Sequence, residues 1–283
     1  MANKIKKKGS KIVFLLIFFS GFGLSLYPFV GSWFMAHDQS QIVGTYASET
    51  KQLSAEEQKQ ILSDAENYNT MLYQTGGAVV GDASDSLMHE NYEKLLDTSE
   101  NGIMATLEIP KINVDLPVYH GTDDSVLSIG VGHIEGTSLP VGGASTHAVL
   151  SGHRGLPRSK LFTRLDELVK DDLFYIHVLD QTLAYQVEKI EVVEPDEVDA
   201  LQIEADKDLV SLVTCTPYGL NTHRLIVTGH RVPYKEKQKE SIQQGIPSMR
   251  ELVFMILPFI FLIILIGLII AQKRKERKHE KTI

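Results

Sequence analysis

The chain has 283 residues, a net charge of −8 at neutral pH and a single cysteine. The charge is uneven, because both ends are basic while the residues between them carry 17 Lys and Arg against 34 Asp and Glu. So acidic a middle region is not expected to bind nucleic acid, which requires a basic surface. The single cysteine cannot form an internal disulfide, so its role is either packing or reactivity.

An apolar segment lies near each end of the chain. Residues 12–36 carry no charge and follow a tail, 1–11, that contains five lysines. Residues 252–271 are also uncharged and lead into a second basic tail, 272–283. About 20 apolar residues span the hydrocarbon core of a membrane, so both segments are predicted to be transmembrane helices, with a cleaved signal peptide as the alternative for the first. The basic flanks predict that both tails are cytoplasmic and that the middle region lies outside the cell.

Residues 37–101 are predicted to form a helical neck. Ser54 and Glu57 have the spacing of a capping box, which marks the start of a helix. Apolar residues then recur at three- and four-residue intervals between positions 61 and 72, as on one face of a helix. Two glycines end this pattern, and the composition of residues 74–90 predicts a loop.

From residue 102 on the period changes, and residues 104–109 and 114–119 alternate roughly in twos, which is typical of strands. One short helix is expected, at Leu161–Leu168. A body of seven or eight strands predicts a closed barrel or a sandwich, and the barrel is preferred because closure leaves no free edge. Residues 236–251 would link this body to the second apolar segment. The predicted strands are Met104–Ile109, Val114–Tyr119, Thr146–Gly152, Leu173–Leu179, Thr182–Val193, Asp208–Thr214 and Thr222–His230.

Three residues of this body form a candidate catalytic set. Cys215 ends an apolar run, and Arg224 follows it nine residues later. A thiol attacks as thiolate and needs a base, for which His153, in a glycine-flanked turn after a predicted strand, is the candidate. Arg224 stays protonated and cannot be the base, but it can donate hydrogen bonds to a developing oxyanion. From these residues alone, a packing cysteine and a surface ion-pair arginine remain alternatives.

The other histidines of residues 102–235 are expected to be surface or packing residues. They are His120, His133, His147, His177, His223 and His230.

Taken together, these motifs resemble the signature of the sortases. Leu212-Val213-Thr214-Cys215 is followed by Arg224, and His153 lies 62 residues before the cysteine. Longer segments resemble class C, the pilin-polymerising sortases, and the resemblance covers roughly residues 50–235. These segments are 109–112, 116–122, 132–140, 151–157 and 215–224.

The resemblance implies a fold and a reaction. The fold would be mostly β, a closed sortase-type barrel of about eight strands with N-terminal helices and flanking transmembrane helices. Cys215 would attack the Thr–Gly carbonyl of an LPxTG-type sorting signal on a pilin precursor, with His153 as acid and base and Arg224 as the clamp for substrate and oxyanion. An acceptor lysine of the next pilin would resolve the thioacyl enzyme as an isopeptide bond. Pilin precursors and membrane lipid are then the partners, the catalytic domain lies outside the cell membrane, and no metal or cofactor is implied.

The loop after the helical neck departs from the class C pattern. Class C sortases usually close the site with a lid that carries Asp-Pro followed by an aromatic residue, and residues 81–87 contain neither the proline nor the aromatic. Asp82 or Asp85 could pair with Arg224, with Asp82 slightly favoured, because a guanidinium binds a carboxylate in bidentate geometry. Leu87 could take part of the place of the aromatic ring. We therefore expect a lid that closes weakly.

Three other functions fit the same sequence. An extracellular cysteine peptidase would hydrolyse the same kind of signal with the same Cys and His pair. A housekeeping-type sortase would anchor proteins to the cell wall instead of joining pilins. A non-enzymatic anchored binding module would not need Cys215 at all.

Overall fold

The computed structural model describes residues 2–76, 92–98, 102–156, 159–243 and 249–280. The chain forms two compact units, one made of Met1–Trp33 with Ile246–Ile283, the other of Phe34–Gly245. The helices are α1 (Ala2–Thr50), α2 (Ala55–Gln74), α3 (Asp124–Leu127), α4 (Glu236–Ser241) and α5 (Met249–Glu280).

The apolar segments of the sequence lie in α1 and α5. Within the described residues, Leu15–Thr50 of α1 is long and apolar enough to cross a membrane, and Met255–Ala271 of α5 is a shorter apolar stretch. In this unit the rings of Phe22 and Phe259 meet edge to face, with centroids 6.0 Å apart. Helix α1 is therefore long and apolar enough for the predicted N-terminal membrane helix.

The helical neck begins α2 with the predicted capping box. Ser54 Oγ accepts a hydrogen bond from the amide of Glu57 at 3.3 Å, and the Glu57 carboxylate accepts one from the Ser54 amide at 2.8 Å. The Ser54 hydroxyl also donates to this carboxylate, at 2.7 Å, and the two bonds that the carboxylate accepts from Ser54 lower the pKa of the Glu57 carboxyl. One face of α2 is buried against the barrel, and on it the Asn69 amide group exchanges two hydrogen bonds with the backbone of Leu139.

The body is a closed barrel of eight strands in the order β1-β2-β3-β4-β7-β8-β6-β5, which confirms the predicted fold. The β2–β3 and β4–β7 pairs are parallel, and the other neighbours are antiparallel. The strands are β1 Ile103–Ile109, β2 Val114–His120, β3 Val131–His133, β4 Thr146–Ser151, β5 Leu173–Val178, β6 Gln181–Val193, β7 Asp208–Thr216 and β8 His223–Val232.

The strand that sequence reasoning missed is β3. It has three residues, too few to show an alternating pattern, and its middle residue is Gly132. A Cβ at this position would lie 2.2 Å from the carbonyl oxygen of Gly121, so the close approach of the two chain segments requires glycine.

The prediction of a helix at Leu161–Leu168 is wrong. The segment forms turns and a short 3-10 helix, Leu165–Glu167, although its apolar residues are buried at helical spacing. The amide of Phe162 donates to the carbonyl of His153 at 3.1 Å, and the amide of Leu165 donates only three residues back. Contacts with the loop after β4 therefore replace the hydrogen bonds of an α-helix.

Candidate active site

Three strand ends meet at one end of the barrel. Strands β4 and β7 are parallel, so their C-terminal ends lie side by side, and β8 is antiparallel to β7 and begins at that end. His153 follows the end of β4, Cys215 lies at the end of β7, and Arg224 lies at the start of β8. The topology therefore gathers three residues that are far apart in sequence.

Cys215 and Arg224 are direct partners in the β7–β8 ladder. Directly opposite residues on antiparallel strands have Cα atoms roughly 4.5–5.5 Å apart and side chains on the same face. Both residues are half-buried, whereas the six residues of β7 before Cys215 are buried. The thiol thus lies at the rim of the barrel and not in its core, which favours the reactive role over the packing role.

His153 lies two residues beyond β4, on a backbone that is fixed to the cysteine strand. The Gly152 amide donates to the Val213 carbonyl at 3.1 Å, and Thr214 Oγ1 donates to the Gly152 carbonyl at 2.7 Å. A Cβ at Gly152 would lie 2.7 Å from the Phe162 ring, so the turn requires glycine there. Within the described residues the side chains of His153 and Cys215 are not hydrogen-bonded to each other, as is common in catalytic sites without substrate.

Two guanidinium groups surround the end of the cysteine strand. Arg224 Nη1 donates to the carbonyl of His223 at 3.3 Å, which holds the group near its own strand. Sequence reasoning missed the second, Arg154, whose Nη1 donates to Thr216 Oγ1 at 3.3 Å. The sequence signal that could have identified Arg154 is its position directly after His153. The Arg154 charge is compensated by the Asp166 carboxylate, so Arg224 is the cation that favours negative charge here, as attack by a thiolate on a carbonyl requires.

The lid residues lie outside the described residues. Asp82, Asp85 and Leu87 belong to residues 77–91, so the expected pairing of Asp82 or Asp85 with Arg224 stays a prediction.

Two of the other histidines are buried packing residues, as expected. His133 Nε2 donates to the Ser138 carbonyl at 2.8 Å, and its Nδ1 accepts from the Tyr92 hydroxyl at 2.8 Å. Burial lowers the pKa of His133 to about 4, so the imidazole is neutral. Burial also lowers the pKa of His147, which is hydrogen-bonded to the Gln202 carbonyl at 2.8 Å.

Comparisons with known proteins identify relatives of this barrel. A family model described as Sortase domain matches residues 107–232. The crystal structure of sortase C1 from Streptococcus agalactiae is 44% identical, with a TM-score of 0.66, and the match covers 69% of this chain and 100% of that one. The chain belongs to the sortase family.

Two further relatives extend the comparison. A sortase C from Streptococcus pneumoniae, whose structure is linked to pilin substrate specificity, is 37% identical, with a TM-score of 0.62, over 69% of this chain and 97% of that one. Sortase D from Bacillus subtilis (strain 168) is 35% identical over 129 residues, which are 44% of this chain and 62% of that protein. This chain thus matches less than two thirds of the length of sortase D.

Proposed function

We propose that this protein is a membrane-anchored class C sortase, a cysteine transpeptidase that joins pilin subunits through lysine isopeptide bonds. The observation that carries the proposal is the ladder pairing of Cys215 with Arg224 beside the His153 loop, in a chain of the sortase family. The likeness to solved sortase C structures, one of them linked to pilin substrate specificity, supports pilin precursors with LPxTG-like signals as substrates.

In the acylation step, the Cys215 Sγ atom attacks the Thr–Gly carbonyl carbon of the sorting signal. His153 takes the thiol proton, and the carbonyl oxygen gains negative charge as the tetrahedral intermediate forms. Arg224 is placed beside the nucleophile to donate hydrogen bonds to that oxygen or to the neighbouring substrate carbonyls. The C–N bond then breaks, the glycine amine leaves with the proton from His153, and a thioester to Cys215 remains.

In the transfer step, the amine of an acceptor lysine attacks the thioester carbonyl. His153 accepts a proton from this amine and passes it to the Cys215 sulfur as the C–S bond breaks, so the thiol is regenerated as the isopeptide bond forms. Water in place of the amine would give hydrolysis by the same residues, so the chemistry of transpeptidase and peptidase differs only in the acceptor.

The apolar ends of the chain support a membrane location. We propose that α1 anchors the protein, that the apolar stretch of α5 is a second membrane segment, and that the barrel lies outside the cell. The lysines and arginines of the two tails, each directly beside an apolar segment, favour cytoplasmic tails and thus this arrangement.

The test uses the full chain in detergent with an LPxTG-type peptide, with and without a peptide that contains an acceptor lysine. We expect an isopeptide-linked product that appears only with the acceptor, and no product from Cys215→Ala, as measured by mass spectrometry. Hydrolysis alone, at saturating acceptor, would identify a peptidase. Transfer only to a cell-wall-type amine, and not to the lysine peptide, would identify a cell-wall anchoring sortase.

A further inference from the structure

The Arg154 side chain is buried beside the proposed site, with 4% of its surface exposed. An arginine carries its charge at any ordinary pH, and a buried charge requires partners. Its Nη2 forms an ion pair with the Asp166 carboxylate, and its Nη1 donates to Thr216 Oγ1 at 3.3 Å. The guanidinium carbon also lies 5.9 Å from the centroid of the Tyr218 ring. Arg154 therefore connects three segments around the end of β7.

The contact with Thr216 has a specific place in the chain. Arg154 directly follows His153, and Thr216 directly follows Cys215. The backbone bond between the two segments is made by Gly152, one residue before His153. The Arg154–Thr216 bond adds a second connection on the other side of His153. The loop that carries the proposed base is thus tied to the proposed nucleophile's strand before and after the histidine.

The opposite side of the loop is held by the segment that follows it. Phe162 donates its amide to the His153 carbonyl at 3.1 Å, and the Gly155 amide donates to Thr163 Oγ1 at 3.2 Å. Asp166, in the 3-10 helix of the same segment, holds Arg154. Because Asp166 fixes one end of the guanidinium, the other end has a defined position against Thr216.

Stability alone does not account for a charged residue in this place. The Nε atom of Arg154 is buried and has no hydrogen-bond partner among the described residues, which lowers the stability of the fold. An apolar side chain of similar volume would fill the space without an unpaired donor or a desolvated charge. What such a side chain would lack is the planar fork that reaches Asp166 and Thr216 at once.

We propose that Arg154 is a positioning residue for the reaction described above: held by Asp166, it fixes the His153 loop against the end of the Cys215 strand through Thr216. It acts on the reacting groups through its neighbours and does not touch them. The inference deepens the proposed function and rests on the assignment of Cys215 and His153 as the reacting pair.

The first test removes the hydroxyl that Arg154 contacts. In the full chain in detergent, with an LPxTG-type peptide and a lysine acceptor, Thr216→Val should lower kcat about tenfold and change KM by less than about twofold. Thr216→Ser keeps the hydroxyl and should retain the wild-type kcat. A role in folding alone would instead show as lost active protein, which titration of Cys215 with a thiol reagent counts.

The second test changes the arginine. Arg154→Lys keeps the charge but cannot reach both partners, so kcat should fall about 10- to 100-fold. The double variant with Thr216→Val should fall no further than Arg154→Lys alone, because both changes break one connection.

The matched control is Arg231→Lys at the far end of β8. Arg231 Nη1 lies 3.5 Å from an Asp208 carboxylate oxygen, and its guanidinium carbon lies 5.7 Å from the Tyr185 ring centroid, so it has the same kinds of partner. This variant should keep kcat within about twofold of wild type, because it is far from the reacting groups.

A further readout does not depend on transfer. The rate at which iodoacetamide alkylates Cys215 is measured against pH for wild type, His153→Ala, Arg154→Lys and Thr216→Val. The last two profiles should shift towards that of His153→Ala. Profiles that overlie wild type, or wild-type kcat in both Thr216→Val and Arg154→Lys, would overturn the proposal. A wild-type protein that never acylates would instead refute the proposed function, and the alkylation profiles would still decide the role of Arg154.

Discussion

The position of the positive charge of Arg224 is set by the backbone pairing of strands β7 and β8. The residue is the direct partner of Cys215 in the β7–β8 ladder, so its guanidinium is held on the same face as the thiol. The sequence supplied the residue types and their spacing, and the resemblance to sortases supplied their roles. What the sequence could not supply is the cross-strand register, because this depends on where the loop between β7 and β8 reverses the chain.

Replacement of Arg224 by lysine tests the role of the planar fork. Lysine keeps one positive charge but cannot hold an oxyanion or two carbonyls in the same geometry, so Arg224→Lys should lower kcat about 10²-fold. The measurement is transfer kinetics with the LPxTG-type peptide, with the melting temperature as the control for folding. Wild-type turnover would show that the charge alone suffices or that the residue has a structural role.

His133 gives the barrel a predictable sensitivity to acid. Its pKa falls from the ordinary 6.5 to about 4 on burial, so the unfolded chain binds a proton that the folded protein does not between these values. The free energy of unfolding should therefore be at its full value above pH ~6.5 and fall by up to about 3 kcal/mol as the pH drops to ~4. His147 contributes in the same direction, because burial lowers its pKa too.

Urea unfolding followed by circular dichroism between pH 7.5 and 4.5 measures this dependence. A His133→Gln variant cannot titrate there, so its stability should be lower at neutral pH and vary less with pH than that of wild type. Equal slopes in the two proteins would contradict the assignment of a neutral, buried His133.

At the scale of elements, most strands were predictable because they are short runs of apolar and β-branched residues, and several of these runs are buried on both faces. Strand β3 was not, because three residues carry no pattern. The segment Leu161–Leu168 shows the opposite error, since its apolar spacing is helical but its amides bond to the His153 loop and to near neighbours. Arg154 was missed for a related reason: its importance comes from Asp166 and Thr216, which only the fold brings to it.

The packing of α2 on the barrel depends on one buried amide. Asn69 is 4% exposed and satisfies both backbone groups of Leu139, at 2.7 and 3.1 Å. Asn69→Leu would leave the Leu139 amide unpaired, while the Leu139 carbonyl keeps its bond from the Val141 amide, so the free energy of unfolding should fall by about 1–3 kcal/mol in urea titrations. The neighbouring exposed Thr70 is the control, and Thr70→Val should change stability by less than about 0.5 kcal/mol. Equal losses in both variants would contradict the packing role of Asn69.

The loop at residues 74–90 is expected to be a weak lid, because it has neither the proline nor the aromatic residue of the usual class C anchor. Deletion of residues 78–88 should then change the rate of Cys215 alkylation by less than about threefold, since a weakly closing lid would leave the thiol open to the reagent. The measurement is the alkylation rate of the full chain with and without the deletion. A large acceleration on deletion would show that the loop closes the site firmly despite its sequence.

At the scale of the whole molecule, the basic ends and apolar helices are proposed to hold the acidic barrel at the outer surface of the membrane. The barrel closes without a free sheet edge, and the proposed site lies at the ends of its strands. The parallel β4–β7 pair is the arrangement that brings the His153 loop and Cys215 to the same end of the barrel. The proposed chemistry then depends on a single claim, that Cys215 carries the substrate acyl group.

Intact-mass measurement of the full chain with an LPxTG-type peptide and no acceptor tests that claim most directly. The wild-type protein should gain the mass of the peptide fragment that ends at the threonine, peptide mapping should place it on Cys215, and a lysine acceptor should remove it. Cys215→Ala should gain no mass. An adduct on another residue, or the same product yield from Cys215→Ala as from wild type, would contradict the account.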